Sequence, residues 1–291
     1  MMPDAGMDKF ATVNGIQFHY VDWGGQGRPI VLLHGLASNS RIWDMVAPIL
    51  SETNRVVALD QRGHGDTDKP DHGYDFASVV KDLDEFIDEM GFSNPIIAGH
   101  SWGGDVALEY AVAHPDTPSG LCFVDGGTIE IAGRPGWDLE QAKIDMAPPY
   151  FNGVTLEGML ERSKNRWGFT RSAEQSERFI RANFQVMDDG TVQPKFNRAN
   201  HMRIIEALWD HRPSELYADV RCPVLMMPAR QKDQNPDMAR MMRREESISK
   251  AASLFQNSKT VWLEDSIHDV PVQRPELVAS VITEHIDDGF F

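Results

Sequence analysis

An α/β fold is predicted, with a mostly parallel, twisted sheet, helices on both of its faces and a helical cap inserted past the middle of the sheet. Three observations predict it. Over the first 125 residues, short β-branched runs alternate with longer amphipathic stretches, the rhythm of strand, helix, strand. Most of the strand-sized runs are apolar throughout, as strands covered by helices on both faces are. From about residue 130 the alternation stops, and it resumes at 223. The boundaries implied are a first core part over 1–129, a helical cap over 130–215 and a second core part over 216–291.

The elements follow in order. In TVNGIQFHYVDWG, Asn14 and Gly15 form a two-residue hairpin signal, and Ile16, Phe18 and Tyr20 alternate as a strand does, so two edge strands are expected. IVLLHG (30–35) and RVVALD (55–60) read as buried strands, with a helix-sized stretch over 41–50 between them. In FASVVKDLDEFIDEM, Phe76, Val79, Val80, Leu83, Phe86, Ile87 and Met90 recur at helical spacing, so one face packs on the sheet. PIIAGHS (95–101) is the next strand, DVALEYAVAH (105–114) the next helix and GLCFVD (120–125) the strand after it. Residues 130–215 carry no strong strand signal, and Gly and Pro interrupt helical pieces rich in Met and aromatics, among them Met146, Met159, Phe179 and Trp209. Strand signals return at PVLMM (223–227) and TVWLE (260–264), and PELVASVITEHI (275–286) closes the fold as a helix.

Composition narrows the function. Forty-four Asp and Glu against 28 Lys and Arg give a formal charge of −16, which repels phosphate backbones and anionic headgroups, so neither nucleic acid nor a membrane is an expected partner. No apolar run approaches the roughly 20 residues of a membrane span. The first residues, MMPDAGMDKF, lack the basic end and apolar segment of a secretion signal, and the cytoplasm is the expected address. Cys122 and Cys222 lie at the apolar runs LCFV and CPVLMM and read as reduced core residues. With neither a CxxC nor an HExxH spacing, no metal site is expected.

The most informative stretch is GHSWG, 99–103, where a buried strand hands over to a helix. That is the context of a nucleophile elbow, a sharp turn that lifts a serine hydroxyl clear of the sheet. Gly99 and Gly103 remove side chains that would block the close crossing of strand and helix.

With this motif the sequence resembles the α/β-hydrolase fold family, as a member with a serine nucleophile, and three further motifs extend the resemblance over essentially the whole chain. In HGLAS (34–38) the resemblance implies that Leu36 lends its backbone amide to an oxyanion hole, with the amide of Trp102 as the second donor, and that His34 is a scaffold hydrogen-bonder. DQRGHGDT (60–67) resembles the family's DxRGHGxS loop, with Thr67 in the Ser position; Asp60, Arg62 and His64 then belong to a hydrogen-bonded loop beside the site. In SIHDVPVQRPELV (266–278), His268 holds the position of the family's base, which takes the proton from Ser101 and returns it to the leaving group.

Two aspartates compete to orient that base, and both keep the order Ser, Asp, His. Asp233 follows the PVLMM strand, the commoner location, but its loop PARQKD is about one residue longer than usual and lacks the usual Gly. Asp125 ends GLCFVD, where some members carry the acid; Asp237 is a neighbouring alternative. The stretch MARMMRREE (238–246) reads as a solvated amphipathic helix.

Members of the family that open epoxides or displace halide use aspartate at the nucleophile position, and a serine there implies acyl transfer instead. The expectation is a carboxylic ester or lactone hydrolase acting on a small, partly apolar substrate, with no cofactor. Two alternatives stay open. One is different chemistry on the same scaffold, such as C–C bond or amide hydrolysis, acyl transfer, or cofactor-free peroxidase or oxygenase chemistry. The other is a receptor-like member that binds ligand and turns over slowly.

Overall fold

The computed structural model describes residues 6–167, 172–231 and 238–291. Strands β1 (Met7–Val13) and β2 (Ile16–Gly24) form an antiparallel hairpin, and its turn residues Asn14 and Gly15 have φ of 52° and 71°, the left-handed pair that a two-residue turn demands. β3 (Pro29–Leu33) leads into the stretch expected as a helix over 41–50, which is split into a 3-10 turn, Ser40–Trp43, and one turn of helix, α1 (Ala47–Leu50). The physical reason is Pro48, which has no N–H to donate and fits only in a first helical turn. β4 (Arg55–Leu59) and α2 (Phe76–Glu89) follow; Asp75 caps α2 by accepting from the Ser78 amide at 2.9 Å, and Val79, Val80, Leu83, Phe86 and Ile87 are buried beneath it.

β5 (Ile96–His100), α3 (Trp102–Ala113) and β6 (Gly120–Val124) come next. α3 begins three residues before the expected start, because the chain turns from strand to helix within the single residue Ser101. Between β6 and the next sheet strand lie α4 (Leu139–Asp145), α5 (Leu156–Trp167), α6 (Ala173–Asn183), a small hairpin of β7 (Phe184–Val186) and β8 (Val192–Pro194), α7 (Arg198–Asp210) and α8 (Pro213–Leu216). The hairpin was not expected: its strands are three residues each, too short for a periodic signal. Among the described residues, this segment adds no strand to the main sheet.

The chain then returns through β9 (Val224–Met227), β10 (Ala229–Arg230), α9 (Met238–Leu254), β11 (Ser258–Thr260), β12 (Leu263–Glu264), α10 (Val270–Gln273) and α11 (Pro275–Asp287). The main sheet has eight strands in the order β1-β2-β4-β3-β5-β6-β9-β11, parallel except at the β1/β2 and β2/β4 pairs. The run expected as one strand over 260–264 divides between two sheets: β11 pairs with β9, whereas β12 pairs with β10 beyond Pro228, a residue with no amide to continue the ladder.

Alternation along the parallel strands sends their side chains into two cores. Val31, Leu33, Val57, Leu59, Ile97 and Leu121 pack on one face with Leu83, Phe86, Val106 and Tyr110. Ile30, Leu32, Val56, Ala58, Ile96 and Ala98 pack on the other with Trp43, Leu50, Val278 and Ile282. Each fully buried Val, Leu, Ile or Phe among them contributes about 1.5–3 kcal/mol by leaving water. Cys122 and Cys222 are buried free thiols. Among the described residues, no helix is long and apolar enough to cross a membrane.

Candidate active site

Ser101 caps α3 at φ 52°, ψ −127°, left-handed backbone that costs a residue with a side chain about 1–3 kcal/mol and persists because its surroundings fix it. The neighbouring glycines explain how. A Cβ on Gly99 would lie 2.1 Å from the Gly103 carbonyl oxygen, and one on Gly103 would lie 2.6 Å from the His34 carbonyl oxygen, so strand and helix touch backbone to backbone. The Ser101 amide donates to the Val124 carbonyl at 3.1 Å, tying the turn to β6.

The hydroxyl of Ser101 lies 3.0 Å from His268 Nε2, and His268 Nδ1 lies 2.6 Å from Asp125 Oδ2. Nδ1 therefore carries the proton that Asp125 accepts, leaving Nε2 free to accept from Ser101. Asp125 also sits at positive φ, 52°, directly after β6; its Oδ1 accepts the Ala229 amide at 2.7 Å and a bond from the Arg244 guanidinium. Burial works to raise the Asp125 carboxyl, but the His268 hydrogen bond and the charge of Arg244 outweigh it and hold it below the usual carboxylate range. Of the two competing acids, Asp125 is the one on His268; Asp233 and Asp237 lie outside the described residues.

Two contacts at this site have no counterpart in the sequence expectations. His100 Nε2 donates to the backbone carbonyl of His268 at 2.8 Å and so holds the loop that carries the imidazole. Burial drives His100 down to about 4, so it is neutral. Its placement beside Ser101 was the available signal. The second is Arg244, from a helix expected to be merely solvated, for which no local pattern signals a partner 119 residues away.

The loops beneath the site lock each other in place. His34 Nδ1 donates to the Gly35 carbonyl at 2.8 Å, and its Nε2 accepts the Gln61 amide at 3.0 Å. His64 Nδ1 donates to the Arg62 carbonyl at 3.0 Å while its Nε2 accepts the Ala37 amide at 3.2 Å, fixing the turn that carries Leu36. Burial is the main influence on both rings, and it lowers them and keeps them neutral. Arg62 makes two bonds of 2.7 Å to Asp82, and Asp60 takes amides from Ser40 and Asp66 together with the His19 ring. These residues are scaffold. The Trp102 side chain is buried in the core, and its amide heads the first turn of α3, where amides lack intrahelical partners.

Ser101, His268 and Leu36 line one cavity of about 420 Å³. Its walls come from the sheet loops and from the segment between β6 and β9, with Phe151, Met159, Phe179, Ile180 and Phe184 as the apolar face and Arg162 as a cation. No hydrogen bond or ion pair engages Arg162 among the described residues. A cavity of about 700 Å³ adjoins it across Ala37, Phe151 and Phe184, and another of about 730 Å³ meets it at His268. Among the described residues, no three His, Cys, Asp or Glu side chains are grouped to hold a metal ion.

Comparison with known proteins agrees with this architecture. The soluble epoxide hydrolase of a Corynebacterium species is 38% identical over 115 residues, 40% of this chain and 40% of that enzyme. The 2-hydroxy-6-oxo-6-(2'-aminophenyl)hexa-2,4-dienoic acid hydrolase of Metapseudomonas resinovorans is 29% identical over 164 residues, 55% of this chain and 53% of that one. The chain thus spans between two fifths and about half the length of these curated relatives. Among solved structures, that of an E-2-(acetamidomethylene)succinate hydrolase superposes with a TM-score of 0.77 at 22% identity, over 97% of this chain and 99% of the other, a likeness of fold. The model of the alpha/beta hydrolase family matches residues 30–281. With its parallel sheet, its strand-to-helix serine turn and that match over most of its length, the chain belongs to the alpha/beta hydrolase family.

Proposed function

We propose that the protein hydrolyses a carboxylic ester or lactone through an acyl-enzyme on Ser101. The observation that carries this reading is the continuous hydrogen-bonded line from Ser101 through His268 to Asp125, opening on the cavity of about 420 Å³. Ser101 Oγ attacks the substrate carbonyl carbon and passes its proton to His268 Nε2, while Asp125 stabilises the imidazolium. The amides of Leu36 and Trp102 hold the oxyanion. As the tetrahedral carbon collapses, the bond to the leaving oxygen breaks and His268 returns the proton to it. Water then attacks the acyl-enzyme, gives its proton to His268, and the acid leaves as Ser101 recovers its hydrogen. A serine at 101 supports acyl chemistry over the alkyl-ester route of the epoxide-opening members of the family.

The segment between β6 and β9 acts as the cap, and its Phe151, Met159 and Phe184 select a small, partly apolar group. A second reading, hydrolysis of a carbon–carbon bond in an acid-bearing substrate, is favoured by Arg162, a cation without a described partner in the Ser101 cavity. It is favoured too by the relative whose name specifies a dienoic acid. A panel of aryl esters, lactones and 2-hydroxy-6-oxo-dienoic acids separates the two. The ester reading expects turnover of esters or lactones that vanishes in Ser101→Ala. Turnover confined to the dienoic acids and abolished in Ser101→Ala overturns it in favour of the second.

A further inference from the structure

We propose that Arg244 is a positioning residue that holds the Asp125 carboxylate against His268 and tempers the hydrogen bond between them. This rests on the serine-hydrolase reading for its consequence in catalysis, but not for its physical content. The Asp125 carboxylate is buried, with a side chain only 2% exposed, and it divides its two oxygens between opposite tasks. Oδ2 faces His268 at 2.6 Å, whereas Oδ1 takes the Ala229 amide at 2.7 Å and the Arg244 guanidinium. With both oxygens engaged, the carboxylate cannot rotate away from the imidazole.

Arg244 is itself held from behind. The next residue of α9, Glu245, pairs with Arg230 at 3.0 Å, and Arg230 pairs at 2.8 Å with Glu264, so the helix is clamped to the β10–β12 pair that supplies the Ala229 amide. These partly exposed pairs set α9 beside β10, the side from which Arg244 reaches Asp125.

A second cation on the acid has a defined electrostatic effect. When His268 takes the Ser101 proton, the imidazolium is stabilised by the negative charge of Asp125 and opposed by the positive charge of Arg244. Arg244 thus draws charge from the oxygen pair and weakens the Asp125 to His268 hydrogen bond. Its side chain is 43% exposed, so solvent screens the effect and keeps it modest. The remaining polar and charged groups around the ring come from several elements. Neutral His100 of β5 lies 4.8 Å away, Asp269 follows in the chain, and Arg162 of α5 lines the Ser101 cavity. Glu130, Arg134 and Arg243 line the cavity on the Asp125 side. None of these charged groups shares a hydrogen bond with the Asp125 carboxylate.

Two measurements on the full chain test this, one of them independent of reactivity. In proton NMR, the downfield His268 Nδ1–H resonance, assigned by its loss in His268→Gln, is expected to move further downfield in Arg244→Gln, where Asp125 becomes the stronger acceptor. In fluorophosphonate labelling of Ser101, the pH at which the rate falls to half on the acid side is expected to rise modestly in Arg244→Gln. It should return close to its original value in Arg244→Lys and stay unchanged in Arg243→Gln, a neighbour on the same helix and cavity wall. Should Arg244→Gln not fold, Arg244→Met keeps the packed stem and serves instead. An unmoved resonance in the charge-free variant, or equal shifts in Arg243→Gln, overturns the proposal. Absence of labelling in the unmodified protein counts against the serine-hydrolase reading alone, and the resonance then decides the role of Arg244.

Discussion

At the scale of single residues, the site is a set of side chains whose roles are fixed by which oxygen faces which nitrogen. Asp125 reaches His268 at 2.6 Å with its other oxygen occupied, so it is the group we assign to hold the Nδ1–H tautomer. Replacing it by Asn presents the wrong hydrogen-bonding atom or tautomer, and kcat is expected to fall about 10³–10⁴-fold in Asp125→Asn. Asp233→Asn is expected to stay within a factor of about three, because Asp125 already supplies the carboxylate on His268. The reverse pattern in steady-state kinetics would return the role to Asp233. Ser101 and His268 were legible as candidates because each sits in a local motif at a strand end. The choice of acid was not, since two strand ends satisfy the same chain order and only the tertiary contact to His268 separates them. Arg244 and His100 act on partners 119 and 168 residues away; His100 is marked only by its place beside Ser101, and nothing local marks Arg244.

At the scale of elements, the segment between β6 and β9 is tied to helix α3 by an ion cluster around buried His211. His211, at the end of α7, lies 2.8 Å from Glu109 and 3.3 Å from Asp105, both on α3, and Phe76 of α2 stacks on its ring at 4.3 Å. Burial alone would lower His211, but its bonds to the two carboxylates prevail and raise it to about 9. The sign follows from linkage. The folded form holds the proton more tightly than the unfolded chain, whose histidine titrates near 6.5, so the stabilisation is full below pH 6.5 and is lost as pH rises toward about 9. His19, bound between Asp8 and Asp60 and likewise raised to about 9, adds to the same window. Thermal unfolding is therefore expected to move to lower temperature between pH 6.5 and 9, and less steeply in His211→Gln than in the unmodified protein. Identical slopes in the two proteins would remove His211 from this role. The α2 helix was legible from apolar spacing, α11 as the closing helix from PELVASVITEHI, and the Asn14–Gly15 hairpin from its turn residues. The 41–50 stretch and the 260–264 run were misjudged, because Pro48 and Pro228 break ladders that hydrophobicity alone would continue.

At the scale of the whole molecule, the parallel strands from β3 onward place their carboxyl ends along one edge of the sheet, where β5, β6 and β9 deliver Ser101, Asp125 and Ala229 to one spot. The α/β class was legible because a buried parallel strand announces itself as an unbroken apolar run. Which residues of the segment between β6 and β9 line the cavity at that edge was not, since its Met and aromatic residues read as core or as cavity wall. Phe151 and Phe184 now line the Ser101 cavity, while Phe179 belongs both to that cavity and to the packed core.

The central claim is an activated serine at 101. The most direct test is intact-mass analysis after treatment with a small fluorophosphonate, with the modified peptide sequenced. One label per chain is expected, on Ser101, absent from Ser101→Ala and from protein unfolded before treatment. Folded protein that stays unlabelled by probes small enough to enter the Ser101 cavity, or a label equally present after unfolding, would contradict it.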